Sequence, residues 1–538
     1  MPKPFATVLE TATSLGNNTG SWRTMRPEYV NELPPCNATC PAGENVQLWL
    51  SLAMAGKFRE AWEIIMRDNP FPAIMGRVCY HSCEKTCNRG LFDGAVNINM
   101  IEKSIGDIAL DSGWILPRVT SSSGKKVCVV GGGPGGLAAA YFLAKLGHHI
   151  TVYEAHANPG GMMRYGVPRY RLPSKIIDAE VKRIKDLGVK IVCNKKISHL
   201  KDIINDFDAV YISIGAQVAS KSDTVIKKGS CVIDAMDLFQ KLEDNPADLA
   251  HFGKKVFVYG GGNTAIDAAR TALRLGAESV KIIYRRTINN MPAHETEISD
   301  ALMEGIEILC LRTINTVDGD QILLDKMNYD EEFGILSKTG ETEVWQVDNI
   351  IFAVGQTLDT TFFDGISDIL ISENGAIEVD RNMMTGATGV FAGGDIVPGK
   401  RSVTNAVGHA KKAAKGIDEY LGGASEVPIV KNAVAHFKKL NTIYFKKDKR
   451  TNILRPLNLS FEEILPSYTN DEISREASRC FSCGNCFHCD NCYGHCPDNA
   501  IRKQQNGSLT VNYDHCKGCG ICAAECPCGA IRMVSEEK

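Results

Sequence analysis

The chemistry available to this chain sits in its cysteines and in two glycine turns. Eleven of the twenty cysteines fall between Cys480 and Cys528, and five between Cys36 and Cys87. In the later group CFHCDNCYGHCPDNAI (Cys486 to Ile501) recurs thirty residues on as CKGCGICAAECPCGAI (Cys516 to Ile531), and each copy carries C-x2-C-x2-C-x3-C-P. This is the bacterial ferredoxin run, in which three thiolates of one copy bind a 4Fe-4S cluster and the fourth cysteine ligates the other cluster. The spacing therefore predicts one cluster on Cys486, Cys489, Cys492 and Cys526, and a second on Cys516, Cys519, Cys522 and Cys496. A zinc ribbon needs four thiolates in two knuckles and has no use for three evenly spaced cysteines followed by C-P. No C-x-x-C-H occurs, so covalent haem is not indicated.

The glycine turns point to nucleotides. Val127 to Val130 reads as a buried strand running into Gly131, Gly133 and Gly136 at G-x-G-x-x-G spacing, followed by a helix and a second strand that ends in Glu154. Glycine permits the tight turn and a close backbone approach to a pyrophosphate. The helix N-terminus adds partial positive charge, and Glu154 can accept from ribose hydroxyls. Together these form the dinucleotide-binding fingerprint. A second copy follows the strand Val256 to Tyr259, in GGGNTAIDAARTALRLG, with Gly260, Gly262 and Ala265 in the fingerprint positions and Asn263 and Thr264 between them. The next strand, VKIIYRR, ends in Arg285 and Arg286 rather than in an acid. An acid would repel a 2′-phosphate and an arginine fork can pair with it, so NADPH is favoured over NADH.

At 538 residues the chain needs several units to position these groups. An apolar fraction of 44%, a charged fraction of 23% and a net charge of −3 describe an ordinary globular protein, with no reason to invoke nucleic acid or an anionic membrane. No run of 18 apolar residues exists and the first twenty residues lack a signal-peptide core, so a cytoplasmic protein without a membrane span is expected. In that setting the cysteines suggest metal rather than disulfides. Cys128, Cys193, Cys231 and Cys310 lie singly in or beside apolar runs and are expected to be small buried hydrophobes. The first hundred residues read as helical, with cysteines bracketing the helices as C-x3-C (Cys36, Cys40) and C-x3-C-x3-C (Cys79, Cys83, Cys87). Such thiolate sets suit zinc as well as iron-sulfur centres. Ile115 to Lys126 is Ser-, Gly- and Lys-rich and reads as a linker, and residues 425 to 475 as a polar, basic connection.

A family resemblance adds to this reading. CPAGENV, GRVCYHSCEKTC and GAVNINMIEKSI resemble the N-terminal helical domain of the small subunit of bacterial glutamate synthase and of the N-terminal part of dihydropyrimidine dehydrogenase, which carries two 4Fe-4S clusters. The resemblance implies one cluster on Cys40, Cys79 and Cys83 with Glu102 at the fourth position. It leaves only Cys36 and Cys87 for the other, because the family's upstream R-C-x-x-C-G is missing. That motif stands instead at the far end of the chain as SRCFSCGN, with Cys480 and Cys483. NPGGMMRYGVPRYRLP resembles the family loop whose glycines, Gly161 among them, lie along the flavin. TGVFAGGDIVPGKRSVTNAVGHA implies a flavin role for Asp395, with Ser402 to Ala406, including Asn405, near its ring. No C-x2-C or C-x4-C stands between Gly131 and Cys193, so a flavin disulfide reductase would lack its redox pair.

The expected fold is multidomain α/β: an N-terminal α-helical iron-sulfur domain (1–114), a linker (115–126), two interleaved Rossmann-like nucleotide-binding domains and a C-terminal α+β ferredoxin domain (480–538). FAD is expected on 127–250 and 351–424, NADPH on 251–350, and a connecting segment at 425–479. The expected function is an NADPH oxidoreductase that takes hydride onto FAD and passes single electrons through 4Fe-4S clusters to a partner subunit or ferredoxin. A self-sufficient reductase of a diffusible acceptor and a non-enzymatic relay are the alternatives. No general acid or base is expected, since the hydride chemistry belongs to the cofactors. The chain is expected to fold back so that Cys480 and Cys483 meet Cys36 and Cys87, within one chain or between subunits of a dimer; the alternative is that Cys480 and Cys483 are unliganded and the N-terminal domain holds one cluster or none.

Overall fold

A computed structural model describes residues 18–536 apart from 118, 120, 217, 220–223, 250–251, 374, 425–431 and 452–457. At its centre are two five-stranded parallel sheets. The first runs in the order Val390–Ala392, Ala209–Ile212, Lys126–Val130, His149–Tyr153, Lys190–Val192. Its central strand is apolar and buried from Val127 onward, as a parallel strand covered on both faces must be. The helix Pro134–Lys145 follows with Pro at its first position and nearly all its apolar residues buried. The second sheet runs Glu307–Cys310, Ser279–Tyr284, Lys255–Tyr259, Asn349–Phe352, Val232–Asp234. Beside it lies an antiparallel meander of Arg312–Asp318, Gln321–Asp330 and Ile335–Gln346, which sequence reading did not single out.

The strand Asn349–Phe352 marks a difference from the expected boundaries. It pairs with Lys255–Tyr259 and with Val232–Asp234, so the NADPH-type sheet takes strands from both sides of 251–350 and the flavin-type fold resumes only after Phe352. A short apolar strand followed by a glycine reads alike in either parallel sheet, and only the pairing assigns it. Cys231, expected to be buried, is exposed; Cys128 is buried, and Cys193 and Cys310 are half-buried.

The N-terminal helices Val46–Met54, Phe58–Ile65, Pro72–Val78 and Ile98–Asp111 pack through Trp49, Trp62, Phe71, Ile74 and Ile101, all essentially fully buried. Pro72–Val78 and Ile98–Asp111 cross backbone to backbone at two glycines. A Cβ on Gly106 would lie 2.3 Å from the Ala73 nitrogen, and one on Gly76 would lie 2.3 Å from Lys103 Cβ. This crossing sets Cys79, which ends the first helix, beside Glu102 in the second.

Both ends of the described chain depart from the sequence expectation. Met25–Tyr29, within the stretch read as helical, is a strand paired antiparallel with Ile531–Ser535 of the ferredoxin segment. The connecting segment ends in a helix, Asn470–Ser478, that packs on Val46–Met54 and Ile98–Asp111 and so belongs to the N-terminal layer. Its start is a capping box, Thr469 with Glu472. Residues 425–431 and 452–457 of that segment lie outside the described residues. No helix among the described residues is long and apolar enough to cross a membrane.

Candidate functional site

A cavity of about 1270 Å³ opens between the two parallel sheets. One wall holds Gly131, Gly133, Glu154, Gly161, Asp395 and Ser402, and the other holds Gly260, Gly262, Asn263, Thr264, Arg285 and Arg286. Most of the residues expected from the two fingerprints therefore face one space.

The glycines divide the work on the first wall. Gly131 has φ 102° and a Cβ there would meet the Ser213 carbonyl oxygen at 2.4 Å, so the turn itself requires glycine. At Gly136 an added Cβ would sit 1.8 Å from the Gly131 oxygen, so this glycine serves helix packing and does not line the cavity. At Gly133 the nearest atom to an added Cβ is Gly161 Cα at 3.8 Å, so the protein tolerates a side chain there and only the cavity would be filled. Gly161, at φ 50°, backs on Gly133, its own Cβ position lying 2.7 Å from Gly133 Cα. Glu154 is buried, and its carboxylate accepts from the Gly132 and His156 backbone N–H groups, each at 2.8 Å. Asp395 follows the strand Val390–Ala392 and its carboxyl is raised by burial, against the pull of Arg401. Ser402 caps the helix Val403–Tyr420, accepting from the Asn405 N–H at 3.1 Å, which points the helix N-terminus into the cavity. Asn405 itself does not line the cavity; its amide donates to Ser402 Oγ at 2.8 Å.

The second wall repeats the first. A Cβ at Gly260 (φ 151°) would meet the Ala353 oxygen at 2.3 Å, whereas Gly262 has nothing within 4 Å and leaves room for a phosphate. Asn263 donates to the Tyr80 hydroxyl at 3.0 Å and accepts from the His294 N–H at 2.8 Å. Arg285 is exposed and Arg286 half-buried, its Nε buried without a hydrogen-bond partner. Among the described residues neither forms an ion pair, and the Arg286 guanidinium lies 5.9 Å from the centroid of the Tyr329 ring. Sequence reading missed the bolts between the walls. Arg171 of the flavin-side loop contacts Asp267 at 2.7 Å and Glu297 at 3.1 Å, and Arg164 and Arg169 share Glu243.

The cysteines stand where the cavity ends. Cys79 lies between Val78 and Tyr80, both on the cavity wall, and accepts from the Thr404 hydroxyl at 3.4 Å. Burial pushes its thiol up to about 11, with the Glu102 and Glu44 carboxyls adding to the rise. Cys40 and Cys83 feel Glu102 and Cys79 as well, which adds to the rise of their thiols by burial. Glu102 is buried and accepts from Asn69 Nδ2 at 2.6 Å; the same amide reaches Glu44 at 3.1 Å. Burial raises the Glu102 carboxyl well above its ordinary range. A buried carboxyl facing three thiols with only an amide for partner fits an iron-sulfur centre. No group of described residues is drawn together as a single bound metal ion would require.

In the ferredoxin segment Cys496, Cys516, Cys519 and Cys522 line one small cavity, which Pro27 closes from the N-terminal strand. Cys492 and Cys526 share one buried cluster, with Cys486 packed against it. Each copy's fourth cysteine accepts a backbone N–H four residues on, Ala500 to Cys496 at 3.2 Å and Ala530 to Cys526 at 3.3 Å. Cys496 of the first copy thus lies with the three leading cysteines of the second. Tyr29 of the N-terminal strand lies 3.2 Å from Cys492 Sγ through its hydroxyl.

Comparison with known proteins agrees with this division. Residues 125–410 match the pyridine nucleotide-disulphide oxidoreductase family, 29–114 match dihydropyrimidine dehydrogenase domain II with its 4Fe-4S cluster, and 485–530 match the 4Fe-4S dicluster domain. The chain is 32% identical to the NADP(+)-dependent formate dehydrogenase subunit beta of Moorella thermoacetica, over 84% of this chain and 70% of that one. It is 32% identical to the glutamate synthase [NADPH] small chain of Azospirillum brasilense, over 74% and 88% of the two chains. It is 30% identical to the NAD-dependent dihydropyrimidine dehydrogenase subunit PreT of Escherichia coli (strain K12), over 72% and 92%.

Proposed function

This chain belongs to the pyridine nucleotide-disulphide oxidoreductase family, and from that premise we propose that it is the electron-input subunit of a redox assembly, feeding a partner subunit or a ferredoxin-like protein. It is an NADPH oxidoreductase that uses FAD and 4Fe-4S clusters. When bound, FAD exchanges a hydride with the nicotinamide and the clusters each carry one electron.

The chain's own residues supply position and field. Gly131 and Gly133 admit the flavin nucleotide's pyrophosphate, Glu154 holds its ribose, and the helix that Ser402 caps turns its positive end toward the ring site. Gly260 and Gly262 admit the second pyrophosphate, and Arg285 and Arg286 pair with the 2′-phosphate. Thr404 ties the ring-side helix to Cys79, so Cys40, Cys79, Cys83 and Glu102 would hold the cluster nearest the flavin, where it would supply a one-electron carrier. The observation that carries the reading is this junction: Val78 and Tyr80 form cavity wall on either side of Cys79.

A partner rather than a diffusible acceptor is supported by the relatives, which are named as subunits, and by the exposure of Cys489 and Cys519 at the far end of the thiol series. Twenty free cysteines given over largely to metal ligation suit the reducing cytoplasm. The test is anaerobic addition of NADPH to the purified holoprotein. Flavin absorbance should bleach, cluster signals should appear in electron paramagnetic resonance, and a one-electron acceptor protein should then be reduced. A flavin that stays oxidised in excess NADPH overturns the reading.

A further inference from the structure

We propose that Cys36, Cys87, Cys480 and Cys483 hold an additional 4Fe-4S cluster, assembled from both ends of the chain, and that this cluster links the flavin-side centre to the ferredoxin domain. The proposal deepens the reading above and rests on it. Neither iron-sulfur match reaches Cys480 or Cys483, since one ends at residue 114 and the other begins at 485.

Hydrogen bonds place the four together. The loop after the helix Asn470–Ser478 is held by the flanks of Cys36 on one side and of Cys87 on the other. The Glu32 N–H donates to the Gly484 oxygen at 3.0 Å, four residues before Cys36. Asn88, next to Cys87, donates its amide to Cys483 Sγ at 3.4 Å, and Arg89 donates to the Arg479 carbonyl. The Ser482 N–H donates to Cys480 Sγ at 3.4 Å, and Ser482 is in turn held by Gln47 at 2.7 Å. Ser482 at φ 53° and Gly484 at φ 74° give the loop its turn. A Cβ on Gly484 would stand 2.7 Å from Glu32 Cβ, so the loop is seated against the N-terminal segment. Arg479, essentially fully buried, locks the approach through Glu476, Asp93 and the Gly94 carbonyl. Asn37, next to Cys36, accepts from the Gln47 N–H at 3.2 Å, and the same Gln47 holds Ser482, so Cys36 is tied to the loop between Cys480 and Cys483. N–H groups aimed at two of these sulfurs are the donors that a cluster-bound thiolate accepts.

The site lies between the others. Cys36 lies in the helix Pro35–Thr39 that Cys40 ends, and Cys83 lies in the helix Ser82–Lys85 with Cys87 two residues past its end. Each pair therefore gives one thiol to the flavin-side centre and one to this site. On the other side Gly484, next to Cys483, donates its N–H to the Cys528 carbonyl at 2.7 Å, and Cys528 Sγ lies 3.7 Å from Cys526 Sγ of the first ferredoxin set. Two one-electron passages balance the two electrons of each hydride taken from NADPH, with a proton released and a one-electron acceptor protein as the final oxidant.

The test is the full-length holoprotein with Cys480→Ser and Cys483→Ser. The unaltered chain should hold about sixteen iron atoms and the double variant about four fewer. FAD occupancy and NADPH-driven flavin bleaching should be unchanged, and the ferredoxin-cluster resonance signals that NADPH elicits should be lost. Dithionite should still reduce those clusters, which separates a broken link from missing clusters. Full iron content with normal reduction of the ferredoxin clusters overturns the proposal. If the double variant does not fold, Cys36→Ser attacks the same site from the other end and should give the same loss; retention of all the iron there also overturns it. Failure of NADPH to bleach the flavin in the unaltered protein would instead refute the reading above, with the iron count still testing the site.

Discussion

At the scale of single residues, a sequence shows type and spacing but not which neighbour an atom lacks. The fingerprint glycines were legible from their spacing after a buried strand, and the structure separates their tasks. Gly133→Val should yield folded protein without FAD, because its Cβ meets only cavity, whereas Gly136→Ala should destabilise the fold itself. Flavin content and thermal unfolding distinguish the two, and a Gly133→Val protein with full FAD would show that the cradle is elsewhere. Arg285 and Arg286 are free to pair, so replacing both with Gln should weaken NADPH at least about tenfold and leave NADH nearly untouched, since each charge-assisted contact is worth about 1.5–3 kcal/mol. Equal loss for the two nucleotides would remove these residues from 2′-phosphate recognition. Glu102 was legible only through resemblance, because nothing in its own segment marks a buried carboxyl; Glu44, sharing the Asn69 amide with it, had no signal at all.

At the scale of elements, the two fingerprint strands and helices stood out because apolar runs, glycines and terminal charges agree in register. Met25–Tyr29 did not, since MRPEY has no alternation and becomes a strand only by pairing with Ile531–Ser535, some five hundred residues away. The helix Asn470–Ser478 had a signal, Thr469 and Glu472 at capping-box spacing, hidden in a stretch whose polarity suggested a connection. The terminal strand has a function that its sequence does not reveal: it carries the Tyr29 hydroxyl to Cys492. With a cluster bound, that sulfur is an acceptor and the phenol must donate, which stabilises the more negative, reduced state. Tyr29→Phe should therefore shift the ferredoxin-domain potential downward while leaving the iron content intact. A resonance-monitored redox titration reads this directly, and an unshifted potential would leave Tyr29 a packing residue.

At the scale of the whole molecule, two nucleotide sheets must present their ligands face to face, and the distance between them is not encoded in either fingerprint. Buried charge spans that gap. Arg171, in the loop after the short helix Met162–Tyr165, reaches Asp267 on the helix that opens the second fingerprint, and both side chains are largely shielded from water. Burial raises Asp267 to about 6, and Arg171 is the largest influence holding it down. Arg171→Met would leave that carboxylate buried and unpaired, a change that costs about 3–5 kcal/mol when one partner of a buried pair is removed. The variant should melt earlier and should reduce its flavin more slowly with NADPH even at saturating nucleotide, because the two rings lose their fixed approach. The double variant Arg171→Met, Asp267→Leu removes the orphaned charge and should recover most of the stability. If it recovers stability but not the rate, the ion pair sets the spacing of the two sites as well as their cohesion. A rate unchanged in both variants would mean that Arg164, Arg169 and Glu243 hold the walls without it.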